Sequence, residues 1–157
     1  MKMSPRSLYH TVSIAEAITW TLLILGMLMK YVFDAGNLGV RIGGSLHGLV
    51  FLTYMATAVV VGWNQRWSIG QIIFAVATAI VPYATIPFDR SLERKEMLNG
   101  DWRSVATESP KDKHWFNSAM LWFLKHPVLF FVTLIVLIAA AMSVLLYLGP
   151  PNTWGKN

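Results

Sequence analysis

The sequence predicts an all-α membrane protein with four transmembrane helices, a three-helix core plus a peripheral C-terminal span. Apolar runs at about residues 12–33, 46–63, 69–88 and 127–148 each hold roughly 18 to 22 residues, enough at 1.5 Å of rise to cross a hydrocarbon core about 30 Å thick. Composition agrees. Of 157 residues 55% are hydrophobic and 13% charged, with mean hydropathy +0.49, whereas soluble domains carry about 25% charged residues. The polar remainder is two tails, two short loops and one connection of about 38 residues, too little for a second soluble domain.

The absence of cysteine excludes disulfides, thiolate metal sites and cysteine nucleophiles. A net charge of +5 and a pI near 9.7 are compatible with nucleic acid, but the basic residues are scattered among acids in no groove-binding pattern. Anionic lipid headgroups are the expected partner instead. The first run is expected to be retained as a span and not cleaved as a signal peptide. Glu16 interrupts it, it exceeds the roughly 7 to 15 residues of a signal core, and no small-x-small cleavage site follows.

On the first span Glu16, Trp20, Leu23, Met27, Lys30 and Asp34 share one stripe at 100° per residue, which should face protein. Lys30 and Asp34 stand four apart and can pair. The glycines Gly36, Gly39, Gly43 and Gly44 read as a tight turn into the second span, where His47, Phe51, Tyr54 and Ala58 form a polar-aromatic stripe. Gly44 and Gly48 make a small-xxx-small pair that permits close helix approach. In the link after this span, Trp63, Arg66 and Trp67 have the composition of an interfacial belt. The third span carries Gln71, Thr78, Pro82 and Thr85 on one stripe, and Pro82 predicts a kink.

Residues 89–100 alternate charge at helical spacing and end in Asn99-Gly100, a short solvated helix with a glycine stop. An irregular loop over residues 101–112 leads to an interfacial amphipathic helix over residues 113–125, with Trp115, Phe116, Met120, Trp122 and Phe123 against Asn117, Ser118 and Lys125. The aliphatic run 127–148 then forms the fourth span. Four crossings put both tails on one side, and the distribution of Lys and Arg weakly favours outside.

Ionisable groups within spans are the informative ones, because a charge at a helix centre costs about 2.5 to 3.5 kcal/mol on insertion scales. An antiparallel first hairpin is expected to bring His47 near Lys30 and Tyr31 at one interface, and Glu16 near Asn64, Arg66 and Gln71 at the other. Glu16, Lys30, His47, Tyr54 and Gln71 are thus the candidate intramembrane polar residues, with Arg66 as a pairing partner for Glu16. Glu16 and His47 suit either proton relay or interhelical hydrogen bonding. The histidines at positions 10, 47, 114 and 126 form no i,i+3 or i,i+4 pair, so no local metal site is expected. A seryl nucleophile elbow is absent too, and no cofactor motif occurs.

Ala15-Glu16-Ala17, the end Met29-Lys30-Tyr31, Gly44 with His47-Gly48-x-x-Phe51-x-x-Tyr54, Trp67, and the closure Pro82-x-x-Thr85 to Phe88-Asp89-Arg90 together resemble the domain-of-unknown-function 3817 family. The resemblance covers about residues 7–92 and implies a three-span bacterial inner-membrane protein without an established reaction. Ala84 stands where the family pattern leads one to expect glycine, and the loop and fourth span after about residue 93 are additions. The expected role is a non-enzymatic accessory or scaffold subunit of a larger membrane assembly or a homo-oligomer. The alternatives are a small oligomeric proton-coupled carrier using Glu16 and His47 and, least favoured, a lipid-binding or lipid-modifying protein using the kinked third span and the basic loop.

Overall fold

The computed structural model describes residues 3–103, 121–122 and 126–148. Among them are five helices: α1 (Pro5–Tyr31), α2 (Leu38–Asn64), α3 (Ile69–Thr78), α4 (Thr85–Arg94) and α5 (Pro127–Leu148). The chain divides into two compact units, residues 1–101 and 102–157. In the first unit, α1 starts two turns earlier than expected because Ser4 caps it, its side chain accepting from the Ser7 amide, and Pro5 tolerates the first turn. Both α1 and α2 have 27 residues and are apolar enough to cross a membrane.

The predicted glycine turn is corrected. Only Gly36, at φ 81°, serves the turn, while Gly39, Gly43 and Gly44 lie inside α2. They are there because the helices touch backbone to backbone. A Cβ built on Gly26 would sit 2.5 Å from the Gly39 carbonyl oxygen, and one on Gly43 would sit 2.8 Å from that of Leu22. The seam is therefore Gly26, Gly39 and Gly43, whereas a Cβ on Gly44 would meet a Leu23 methyl at an ordinary 3.8 Å.

The third span is corrected as well. The run of residues 69–88 is not one helix: α3 stops at Thr78, six non-helical residues follow, and α4 begins at Thr85. Proline clashes with the carbonyl four residues earlier. For Pro82 that residue is Thr78, where the helix ends, so the expected kink is a break. Pro87 is harmless as the third residue of α4, where its missing donor has no intrahelical partner to lose.

The break reverses the chain. α3 runs antiparallel to α2, with Tyr54 bonded to Thr78 at 3.0 Å and Gly62 against Ile72. α4 then returns alongside α1. Thr85 meets Glu16 at 2.9 Å, Asp89 meets His10 at 2.6 Å, and Glu93 meets Arg6 at 3.0 Å. Both ends of the α3–α4 pair thus lie at the end of the hairpin that holds the start of α1. Its tip reaches the level of Trp20 and Thr21, through Trp20 Nε1 to the Ala79 carbonyl at 3.3 Å and the Thr21 and Tyr83 hydroxyls at 3.1 Å. That depth is about 22 Å from Arg6 along a helix about 40 Å long.

The second unit, taken by itself, contains α5, where Ser143 Oγ donates to the Ala139 carbonyl at 2.8 Å. The Trp122 ring and carbonyl both contact His126 there. The expected interfacial helix of residues 113–125 lies outside the described residues except for Leu121 and Trp122, and so does most of the loop of residues 101–112.

Candidate functional site

Burial concentrates polar side chains where the α3–α4 pair covers the hairpin. Tyr9, Ser13, Glu16, Tyr54 and Thr85 are completely buried, and Asp89 is 1% exposed. On α1, Tyr9, Ser13 and Glu16 recur at spacings of three and four, with Val12 and Thr19 beside them, so one face supplies the polar groups. Of the predicted stripe, Glu16 is buried and Trp20, Leu23, Met27 and Lys30 are half-buried, whereas Asp34 is exposed beyond the helix end.

Two connected sets of hydrogen bonds run through this layer. In one, the hydroxyls of Tyr9 and Tyr54 stand 2.7 Å apart, Tyr54 and Thr78 are 3.0 Å apart, and Thr78 Oγ1 donates to the Ala75 carbonyl at 2.6 Å. Tyr54 of α2 is the hub, joining α1 to α3. In the other, Thr85 Oγ1 donates to Glu16 Oε2 at 2.9 Å and lies 3.4 Å from the Ser13 carbonyl, while His10 Nδ1 contacts Asp89 Oδ2 at 2.6 Å one turn further along α4. Glu16 Oε1, Ser13 Oγ and Asp89 Oδ1 are buried without a protein partner.

His47 belongs to the edge of this layer and not to the far interface. Because α2 begins at Leu38, His47 lies nine residues, about 13 Å, down the helix. Its Nδ1 stands 3.2 Å from Thr19 Oγ1, and its ring is stacked 4.3 Å from Trp20 and 6.0 Å from Phe51. The expected proximity to Lys30 and Tyr31 is overturned by that early helix start. Thr19 also donates to the Glu16 carbonyl at 2.9 Å, which joins His47 to the Glu16 backbone.

Four other expectations are corrected. Glu16 takes Thr85 as its side-chain partner in place of Arg66, which is exposed in a turn at φ 58°. Gln71 is exposed and closes a capping box with Ser68, accepting from the Ser68 amide at 2.8 Å. It therefore serves the start of α3 and stands apart from Glu16. Lys30 lies over the Tyr31 ring at 4.8 Å. Asp34 is beyond the end of α1 with φ 51°, which breaks the helical spacing an i,i+4 pair needs. Trp67 is not a belt residue but 7% exposed, its Nε1 donating to the Met97 carbonyl at 3.1 Å and its ring against Tyr9 and Phe88.

Sequence reasoning missed Tyr9, His10, Ser13 and Asp89. Placing the start of the first span near residue 12 cut off the first turns of the stripe, and extending the three-and-four spacing back from Glu16 would have reached Tyr9. Asp89 was assigned to a solvated helix because nothing in its neighbours reveals a fold back onto α1. Among the described residues no group of three or more His, Asp or Glu side chains is placed to hold a metal ion.

The family model described as a domain of unknown function, DUF3817, matches residues 6–94. This chain belongs to the DUF3817 family. The matched segment runs from the second residue of α1 to the last of α4, so the DUF3817 unit is the hairpin together with the α3–α4 return. A Streptomyces coelicolor (strain A3(2)) protein, provisionally named a membrane protein, is 42% identical over 79 residues, which is 50% of this chain and 9% of that relative. The chain thus spans under a tenth of the length of the curated relative it matches. No solved structure matches it.

Proposed function

We propose that this DUF3817 chain is a non-enzymatic multi-pass protein of the bacterial inner membrane, acting as an accessory or scaffold subunit of a larger membrane assembly. The observation that carries the reading is where the buried polar groups point: Tyr9, Tyr54 and Thr78 bond to one another across α1, α2 and α3, and Thr85 and Asp89 of α4 bond to Glu16 and His10 of α1. Two surface clefts of about 440 and 350 Å³ lie over α3 and α4, and neither is lined by Glu16, His47 or Tyr54. Polar groups used this way hold helices together. The occurrence of a similar segment within a far longer relative supports a role as part of something larger. Isolation from native membranes in mild detergent after crosslinking should give a defined complex. Recovery of only the free monomer would overturn the proposal.

In this reading α1 and α2 cross the bilayer, α3–α4 enters and returns without crossing, and α5 makes a third crossing. An apolar helix of about 10 residues is too short to span, and irregular backbone at membrane depth is tolerated where protein covers it. The reversal of α3–α4 brings Arg90, Arg94 and Lys95 to the side of Arg6 and Arg66, leaving Lys30 and Arg41 near the hairpin turn. The positive-inside rule then places the amino terminus in the cytoplasm, reversing the orientation that four crossings suggested. Since the chain has no cysteine, single cysteines at Asn37, Ser68 and Asn99 test this directly. Impermeant thiol reagents should label positions 68 and 99 from the same side and position 37 from the other. Opposite labelling of 68 and 99 would restore a full third span.

The alternative, a proton-coupled carrier, draws its support from Glu16 Oε1, buried with no protein partner. Its test is flux in reconstituted vesicles. A proton or solute leak abolished by Glu16→Gln would favour it, and flux indifferent to Glu16→Gln and His47→Ala would end it.

A further inference from the structure

We infer that the outer face of α4 is a binding site for one anionic phospholipid, with its phosphate held by Arg90 and Arg94 and an acyl chain along Ile86 and Pro87. The inference rests on the re-entrant placement proposed above. The cleft of about 440 Å³ is lined by Ile86, Pro87, Arg90, Glu93 and Arg94. These residues follow one another in the order in which a phospholipid is built. The ladder of Glu16 with Thr85, His10 with Asp89 and Arg6 with Glu93 sets α4 along the bilayer normal beside α1. Thr85 is therefore about 12 Å deeper than Glu93. Ile86 and Pro87, apolar, stand at the deep end, and the two arginines stand at the end where the chain re-emerges.

Charge supports the same occupant. Arg90 and Arg94 are exposed, one turn apart, and among the described residues neither has an ion-pair partner. Two guanidinium charges at i,i+4 share one helix face and can both reach a single phosphate. The acid in the cleft, Glu93, is already engaged by Arg6, Nε and Nη2 each lying 3.0 Å from Oε1, and Asp89 is turned inward to His10. The cleft therefore faces lipid with a net positive rim over an apolar floor. Zwitterionic lipids offer the same chain but cancel the phosphate charge in their own headgroup, so an anionic lipid is selected.

The test is native mass spectrometry of the full chain in mild detergent, supplied in turn with phosphatidylglycerol, phosphatidylcholine and inorganic phosphate. One phosphatidylglycerol should be retained in preference to phosphatidylcholine, and Arg90→Gln with Arg94→Gln should weaken retention roughly tenfold or more. Arg41→Gln, near the hairpin turn, should leave it unchanged. The pair Arg90→Lys and Arg94→Lys, which keeps charge, should retain most of the binding even if the glutamine pair folds poorly. Equal retention of the two lipids, or equal loss with the lysine and glutamine pairs in folded protein, would overturn the inference. Displacement of the lipid by inorganic phosphate at equal concentration would reassign the site to a free anion. Because neither variant touches the helix contacts of the polar core, loss of lipid with the crosslinked complex intact separates this inference from the scaffold reading.

Discussion

The two halves of the α1–α2 hairpin solve the same packing problem differently. Near the turn, Gly26, Gly39 and Gly43 bring the backbones into contact, and neither α3 nor α4 reaches this far, so within the first unit Leu25, Leu28, Met29, Leu38 and Ile42 remain exposed. Near the termini the helices carry Tyr9, Glu16 and Tyr54, and a third layer of α3 and α4 is laid over them. Small residues need only each other, because lipid is an adequate solvent for everything that surrounds them. Polar residues need partners, and in a bilayer only more protein can supply them. The α3–α4 pair is therefore where the polar stripe of α1 finds its partners.

The contrast can be broken most severely at the seam. Gly26→Leu or Gly43→Leu should destabilise the hairpin by about 3 kcal/mol, the upper end for overpacking, because backbone stands within 3 Å of the new Cβ. Gly44→Ala should leave thermal melting in detergent unchanged, and an equal loss there would show that the seam is not what holds this half. In the polar half, Thr85→Val removes the donor to Glu16 and should cost about 1 to 3 kcal/mol. Combining it with Glu16→Leu should recover stability, since removing both partners avoids the unpaired acceptor. If the double variant is worse than the sum of the singles, the pair is not an isolated hydrogen bond. Tyr54→Phe should cost about 1 kcal/mol, and Tyr9→Phe added to it should cost little more, because the Tyr9 hydroxyl then has already lost its partner. The smallest effect is expected at Arg6→Gln, where side chains 56% and 30% exposed form the ion pair with Glu93. A change of under about 1 kcal/mol in melting, shrinking further in salt, would fit a surface pair.

Much of this was legible residue by residue. The inward stripe through Glu16 and Trp20 followed from spacing alone, as did the polar-aromatic face of His47 and Tyr54, and Thr78 with Thr85 already shared one stripe. What spacing could not give was the distance at which residues meet. A turn mistaken for starting at Gly36 and ending at Gly44 displaced His47 by about two turns, which put it beside the wrong residues. Asp89 and His10 are 79 residues apart, and neither sits in a context that marks it as half of a pair.

The sequence by itself determined that this is a helical membrane protein, that it belongs with the DUF3817 family, and which face of each long helix is polar, because hydrophobic length and period are local properties. Tertiary structure alone decided that the third apolar run folds back and that Glu16 answers to Thr85. A proline tells the chain where a helix must stop. Whether the next segment continues or returns depends on which buried acceptors still lack donors, and that is a relation between distant residues.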